Sequence, residues 1–434
     1  MGSGGSETSR RAGFVSIKSH FSNELECFLA NVVDLVSSGK TSVTGKLASK
    51  RNIDNTGKQL YTGNMTESEI LVALKTNEPL KGLPNVRIEN LVPLPDATGA
   101  KFDAKFDLRF GETKVEVYAE IKNSCTPKQV EQIAPWLSRF KATQKDAAFA
   151  LVCPALSPQS QTLCLERNVD FIDLAGNVYI NVPGKLLLQR VGMEPQRETG
   201  PSFYRNPFSG KSSRVLRVLL EDAKKPWTLS GITEELAAQT RSSPCAGVSF
   251  EVSSSLVSRV LRSLEEELLI MRRNGTILVP EPGRLLTRWL QEYGDRYRWY
   301  LRGSFKLPNP FGSGLQAVKQ GIDGLLKPQC YAFTSAAAAS LTAPFVDVDP
   351  IDLYVSDEAG AENLRGPISG ASVGPDIRII QPFDAGVFMY SSLRDGLPVV
   401  SDIQTCLDLF GRGGRDLEQA AYLRQRIEAS WRTK

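Results

Sequence analysis

The chain holds a single histidine, His20, among its 434 residues. That scarcity excludes a His-rich metal site and any His-based nucleophilic triad away from that one position. Cysteines are few and scattered: Cys27, Cys125, Cys153, Cys164, Cys245, Cys330 and Cys406 show no CxxC spacing. They read as reduced thiols in a cytoplasmic protein, not as a disulfide framework or a zinc site. No run of about 18 apolar residues is present, so no membrane partner is expected. The N-terminus lacks the apolar core of a signal peptide, and MGSGGSETS reads as a tag or linker. Internal repeats and long low-complexity tracts are also missing. What remains is an ordinary soluble composition, 41% hydrophobic and 23% charged, with a net charge of +4. Catalysis, if there is any, is left to carboxylates working with Mg²⁺. The mild positive balance permits nucleic-acid binding without demanding it.

A chain of this length exceeds one hydrophobic core, so several domains are expected. Residues 1–13 read as the tag or disordered linker. Residues 14–75 are helical in pattern, in FSNELECFLANVVDLV and TESEILVALKT. From 84 to 122 the pattern becomes extended, with a hairpin turn at Gly111-Glu112 between KFDAKFDLRF and KVEVYAEIKN. TPKQVEQIAPWLSRF then predicts a helix capped by Thr126, with Pro127 at its first position and a kink at Pro135. AAFALVCPAL predicts a buried strand; a helix and short strands follow to residue 192. These elements make residues 14–192 a helical segment plus an α/β domain. A Pro-rich linker covers 193–207. Residues 208–295 predict three helices and a hairpin turning at Asn274-Gly275, the order of a winged helix-turn-helix. Residues 296–434 predict a C-terminal mixed α/β domain.

VYAEIKNSC carries Glu120 and Lys122 two positions apart on a strand, so both side chains leave the same face. Asp103 and Asp107 lie on the preceding strand of the hairpin. Asp107, Glu120 and Lys122 resemble the PD-(D/E)xK motif of restriction-endonuclease-like nucleases. The surrounding order of helix, hairpin, motif strand, helix and strand is similar as well. The resemblance implies that Asp107 and Glu120, with Asp103 competing for the first acidic role, hold Mg²⁺. The metal would activate a water, and Lys122 would neutralise the attacked phosphate. Glu67 or Glu69 would add an acid, and Gln129 or Gln132 would contact water or DNA. The alternative reading of the pair is an exposed ion pair of little energetic value.

The third helix of the 208–295 unit has Val257, Val260, Leu261, Leu264 and Leu268 on its core stripe. Ser255, Ser258, Arg259 and Arg262 lie on its other face. Short hydroxyls and arginines suit a helix in the major groove, where arginine reads guanine edges. Arg272 and Arg273 on the hairpin, and Lys211, Arg214 and Arg217 on the first helix, are expected to grip phosphate. FSGKSS looks like the end of a phosphate-binding loop, but Arg205 stands where that loop needs glycine. Thr334-Ser335 followed by Asp347, Asp349 and Asp352 loosely resembles a nucleotidyltransferase pattern without its glycine, and reads as an acidic loop.

Blocks of the C-terminal half resemble the AbiEi family of antitoxin-type transcriptional regulators. They are VSRVLRSLEEELLI, PEPGRLLTRWLQEY, YAFTSAAAASLTAP and VVSDIQTCLDLFGRGGRDLEQAAYLRQRI. The resemblance implies a regulator of a type IV toxin–antitoxin or phage-defence locus whose winged helix binds double-stranded DNA. It also implies a partner, either a cognate toxin or a second copy as a homodimer. The expected function is therefore sequence-specific DNA binding by a protein with a nuclease-like domain. The alternatives are a Mg²⁺-dependent DNA endonuclease addressed by the winged helix, and a toxin-neutralising interaction module.

Overall fold

Alternation in KVEVYAEI builds the strand that organises the N-terminal half. Val115, Val117, Ala119 and Ile121 are buried on one face, while Glu116, Tyr118 and Glu120 are half-buried on the other. The computed structural model describes residues 65–94, 101–193, 206–243, 247–326, 331–342, 348–356, 358–365, 368 and 371–433. All belong to one compact unit, Leu60–Lys434. The predicted linkers 1–13 and most of 193–207, and the helical pattern before residue 65, lie outside the described residues.

Helix α1 (Glu67–Lys75) opens the described chain, with Thr66 and Glu69 forming a reciprocal N-terminal cap. Strands β1 (Val86–Pro93), β2 (Ala104–Phe110) and β3 (Thr113–Ile121) form an antiparallel meander. Its second turn is the expected one, with Phe110 opposite Thr113 and Gly111 at φ +58°. Helix α2 (Pro127–Thr143) follows, capped by Thr126. It runs through Pro135, which is exposed, so water can satisfy the carbonyl that the proline leaves unbonded. Strand β4 (Ala147–Cys153) pairs parallel to β3 and is buried along its whole length, as expected of AAFALVC. Helix α3 (Pro158–Glu166) leads to β5 (Asp170–Asp173), parallel to β4; β6 (Val178–Val182) and β7 (Leu186–Arg190) then turn back antiparallel. The strands of this seven-stranded sheet lie in chain order. Helix α1 packs on the face bearing Val117, and α2 and α3 cover the opposite face. On that second face Phe102 meets Tyr118, Trp136, Phe140 and Phe149 at ring-centroid distances of 4.8–5.6 Å. Such contacts add about 0.5–1.5 kcal/mol per pair beyond area burial and lock α2 to the sheet.

Helices α4 (Ser213–Glu221), α5 (Leu229–Ser242) and α6 (Ser254–Glu266) precede a hairpin of β8 (Met271–Arg273) and β9 (Thr276–Leu278). Asn274 and Gly275 both have positive φ, 52° and 78°, as a type I′ turn requires. Helix α7 (Pro282–Tyr300) continues unbroken past residue 295 and buries Trp289, Leu290, Tyr293 and Tyr297. A second sheet contains β10 (Phe305–Leu307), β11 (Tyr331–Phe333), β12 (Ile351–Val355), β13 (Ile377–Ile380), β14 (Ser392–Arg394) and β15 (Leu397–Val399). Its order is β10-β13-β12-β11-β15-β14. Helices α8 (Leu315–Asp323), α9 (Ser335–Ser340), α10 (Glu358–Asn363), α11 (Asp402–Arg412) and α12 (Asp416–Thr433) complete the chain. One apolar core joins α4–α7 to α11 and α12, from Leu216 and Val260 to Leu407 and Trp431. The 208–300 helices and the C-terminal elements therefore share an interior. The molecule is a mixed α/β structure.

Candidate functional site

The hairpin register places Asp103 beside Glu120. Ala104 pairs with Ala119, so the next step of the ladder sets residue 103 opposite residue 120. The Asp103 carboxylate accepts a hydrogen bond from the Ile121 amide at 2.6 Å, which holds it at the end of the motif strand. Lys122 Nζ lies 2.5 Å from Glu120 Oε1. Asp103, Glu120 and Lys122 are all half-buried, and the Asp103 charge acts on both of the others.

These charges act on one another. Burial raises the Glu120 carboxyl above its ordinary value of 4.5; the Lys122 hydrogen bond opposes this, and the negative charges of Asp103 and Glu67 add to it. Burial would lower the Lys122 ammonium, but the bond to Glu120 and the charges of Glu120 and Asp103 hold it above its ordinary value. The pair thus favours the ammonium more than the carboxylate, because only the carboxylate faces like charges. A carboxylate raised on folding contributes a penalty that grows as pH climbs from about 4.5 through its folded value. Glu120→Gln is therefore expected to be more stable than the parent at pH 7. That advantage should fade as pH falls toward 4.5, where the parent side chain is protonated too. Urea titrations across pH check the sign, and an advantage that grows on acidification contradicts it.

Asp107 does not join this group. It pairs with Glu116, four residues down β2, about 13 Å from the Asp103 position at the strand rise. There it accepts from Asn90 Nδ2 at 2.7 Å and from Lys114 Nζ at 2.9 Å. Burial opposes ionisation of Asp107, but these two bonds outweigh it and hold the carboxyl below its ordinary value. Asp107 is a paired acid of the sheet. Gln132 is also elsewhere: it is exposed, half a turn away from Val130, Ala134 and Leu137, which pack α2 on the sheet. Gln129 is occupied as a cap, its Oε1 accepting from the Thr126 amide at 2.8 Å. Glu69 is likewise taken by the Thr66 cap, whereas the charge of Glu67 reaches Glu120. The signal for Asp103 was present in the turn. With Phe110 opposite Thr113, counting back along the ladder leads to 103 and not 107.

Among the described residues, no three His, Cys, Asp or Glu side chains are grouped to hold a metal ion. Asp103 and Glu120 remain a pair of hard oxygen donors. Mg²⁺ is commonly held by one or two carboxylates with waters filling its shell. Burial first, and the Asp103 charge after it, raise Glu120, and a divalent cation beside the two carboxylates would offset both, so the donor set fits that ion.

Helix α6 keeps one face free. Val257, Val260, Leu261 and Leu264 are buried, while Ser255, Arg259 and Arg262 are exposed and Ser258 is half-buried. Leu268 ends the stripe beyond the helix, at φ +55°. Arg272 and Arg273 are exposed on β8 beside it; Arg272 donates to the Ser258 carbonyl at 3.3 Å and reaches Glu265 at 3.4 Å. Arg259, Arg262 and Arg273 have no ion-pair partner among the described residues. At the C-terminal end of α6, Glu265 also takes Lys128 of α2 at 2.9 Å, which ties this helix to the seven-stranded half. Lys211 is exposed on a short 3₁₀ turn, Gly210–Ser212, that packs against α6.

Arg214 and Arg217 are not on that surface. Arg214 is buried and makes a two-pronged ion pair with Asp384, 2.8 Å on each prong, and donates to the Ser249 carbonyl at 3.0 Å. Arg217 is buried over the Trp289 ring. Both lie on the interior side of α4, in the core shared with α7 and α11. Periodicity alone could not separate them from a solvated basic face. In the C-terminal sheet, Thr334 and Ser335 are buried, and Asp352 is saturated by Arg378 at 2.7 Å and Arg412 at 2.8 Å, so it is not an open metal ligand. Asp347 lies outside the described residues.

No helix among the described residues is long and apolar enough to cross a membrane. No protein-family model matches the chain, and no curated protein does either. A solved structure described as "Structure of EndoMS in apo form" is similar over 25% of this chain and 46% of that chain, at 16% identity and a TM-score of 0.19. This chain spans about half the length of that structure, and a likeness of this size carries no argument about fold or activity.

Proposed function

We propose that this chain is a sequence-specific DNA-binding protein. Helix α6 acts as the recognition helix of a winged helix-turn-helix and the β8–β9 hairpin as its wing. The observation that carries this reading is the row of unpaired, exposed arginines. Arg259 and Arg262 stand on an exposed face of α6, with Arg273 on the adjoining hairpin. A helix of about 10–12 Å diameter fits the major groove, and arginine forks match guanine edges there. Ser255 and Ser258 reach base edges or phosphate, and Lys211 and Arg272 add phosphate contacts. Mobility-shift titration of parent against the Arg259→Ala/Arg262→Ala variant tests the reading. The resemblance of the C-terminal blocks to AbiEi regulators extends it to a promoter-binding role with a toxin partner or a second copy.

A second reading is favoured by the convergence of Asp103, Glu120 and Lys122. In a restriction-endonuclease-like centre, Asp103 and Glu120 would hold Mg²⁺. When bound, the ion supplies an activated water and polarises the phosphodiester. Lys122 would stabilise charge on the attacked phosphate, and its raised ammonium keeps it charged for that role. Incubation with plasmid DNA and Mg²⁺ is expected to give cleavage that falls about a hundredfold in Lys122→Ala. Glu120→Ala should lose cleavage together with the Mg²⁺-dependent rise in Tm. Asp107→Asn should retain both, since Asp107 lies opposite Glu116 and away from this group. Equal losses in Asp107→Asn and Asp103→Asn would reject this assignment of the metal pair. Absence of cleavage across DNAs and metals leaves the DNA-binding reading as the whole function.

A further inference from the structure

The stretch RYRWYLRG, residues 296–303, interleaves arginines with aromatic residues where α7 ends. Tyr297 turns inward, whereas Trp299 is 40% exposed. A further aromatic ring meets this stretch from far along the chain. Phe383, in the segment after β13, is 54% exposed, and its ring lies 5.7 Å from that of the half-buried Tyr300. The two segments pack closely: a Cβ on Gly303 would stand 3.2 Å from Gln381 Oε1. On its other side Phe383 lies against Gly210, where a Cβ would stand 3.5 Å from the ring. Gly210 opens the turn that carries Lys211 and packs against α6. Single exposed aromatics are ordinary, but a contiguous group of them marks an interaction surface.

The patch is also cationic. Arg298, Arg302 and Lys211 are exposed, and none forms an ion pair among the described residues. The Arg302 guanidinium lies 3.1 Å from the centroid of the Trp299 ring. Of the acids on α7, Glu292 is held by Arg288 and Arg296, and Asp295 is exposed. Asp384, next to Phe383, is held by Arg214. Beneath an apolar partner the cations would lose water and gain nothing, whereas a nucleic-acid strand brings a phosphate with each base. Aromatic faces set among positive side chains suit the bases of such a strand. In a closed duplex each base is covered by its neighbours in the stack, so only an unpaired base can lie on a ring.

We propose that the surface formed by Trp299, Tyr300 and Phe383 binds a single-stranded nucleic-acid segment. Unpaired bases stack on Trp299 and Phe383, and phosphates meet Arg298, Arg302 and Lys211. The assignment does not require α6 to read duplex DNA. Because Lys211 sits on the turn packed against α6, a strand held here lies beside that helix.

The full chain is titrated with an oligothymidylate of about 12 nucleotides, within the ~4–16 that single-strand sites commonly cover. A blunt duplex of random sequence is the comparison. Anisotropy of the labelled strand and tryptophan emission are the readouts. Trp299 is the exposed tryptophan; Trp136, Trp227, Trp289 and Trp431 are buried or half-buried. The expected result is saturable binding of the strand, tighter than of the duplex, with quenched emission. The quench disappears in Trp299→Phe, which still binds. Phe383→Ser should weaken the strand by between about fivefold and about 150-fold, the loss of one base–aromatic stack, with Tm unchanged. Arg298→Gln with Arg302→Gln should lower the slope of log affinity against log salt by about 1.4, at ~0.7 per phosphate on a single strand; it decides the matter if Phe383→Ser fails to fold. Absence of saturable strand binding, a random duplex bound as tightly as the strand, or strand affinity unchanged in folded Phe383→Ser each overturns the proposal. A change in sedimentation of Phe383→Ser without a change in strand affinity makes the patch a contact between copies, and overturns it too.

Discussion

Arg259→Ala combined with Arg262→Ala is expected to weaken binding to the cognate duplex by between about thirtyfold and about twenty-thousandfold, the product of two base contacts worth ~1–3 kcal/mol each. The site is first selected from a random duplex pool with the parent protein. The magnitude follows from position. Both guanidinium groups are exposed, neither is spent on an ion pair, and the helix beneath them is fixed by buried Val257, Val260, Leu261 and Leu264. Removing them should therefore leave the fold intact, which unchanged Tm verifies. Mismatched and random duplexes give the direction of the effect. If the arginines read bases, specificity relaxes at the contacted positions. If they touch only phosphate, affinity falls evenly and the slope of log affinity against log salt drops by about one per contact. Arg273→Ala on the hairpin is the phosphate-type comparison. An affinity for the selected site unchanged in the double variant removes α6 from DNA recognition.

Arg214→Ala is expected to lower unfolding free energy by about 3 kcal/mol, since it takes the buried cationic partner from the mostly covered Asp384 carboxylate and leaves it only the Gly386 amide. Arg214 is 5% exposed and holds Asp384 with both prongs while bonding the Ser249 carbonyl. These bonds join α4, the segment before α6, and the turn after β13. Urea denaturation at pH 7 measures the loss. The same residue, judged by spacing alone, is a phosphate contact, and the two assignments give opposite signatures. A structural Arg214 gives a large loss of stability with unchanged DNA affinity in the folded fraction. A DNA-contacting Arg214 gives the reverse.

Much of the local architecture was legible because it is dictated over short distances. Thr126-Pro127 starts α2 because a hydroxyl caps free amides and proline needs no donor there. Gly111 and Asn274-Gly275 turn the two hairpins because they accept positive φ. AAFALVC is a strand covered on both faces, as its unbroken apolar run requires. The acids were harder to assign. Asp103 and Asp107 share a strand face, so alternation cannot separate them, and only the ladder register sets Asp103 against Glu120. Gln132 was misplaced because adjacency in sequence says nothing about which side of α2 meets the sheet. Arg214 and Arg217 were misread because a basic residue on an amphipathic helix is ordinarily solvated, and their buried partners come from far along the chain, Asp384 and Gln404.

By itself, the amino-acid order determined where strands and helices begin, which faces are apolar, and that no histidine chemistry sustains a site beyond residue 20. Those features follow from backbone sterics, capping and hydrophobic period, which act within a few residues. Only the tertiary structure decided which charges meet, because pairing across a sheet or between helices depends on register and packing over tens to hundreds of residues. That is why Glu120 acquired Asp103 as its neighbour, why Arg259 and Arg262 stayed exposed, and why Arg217 was left inside without an acid.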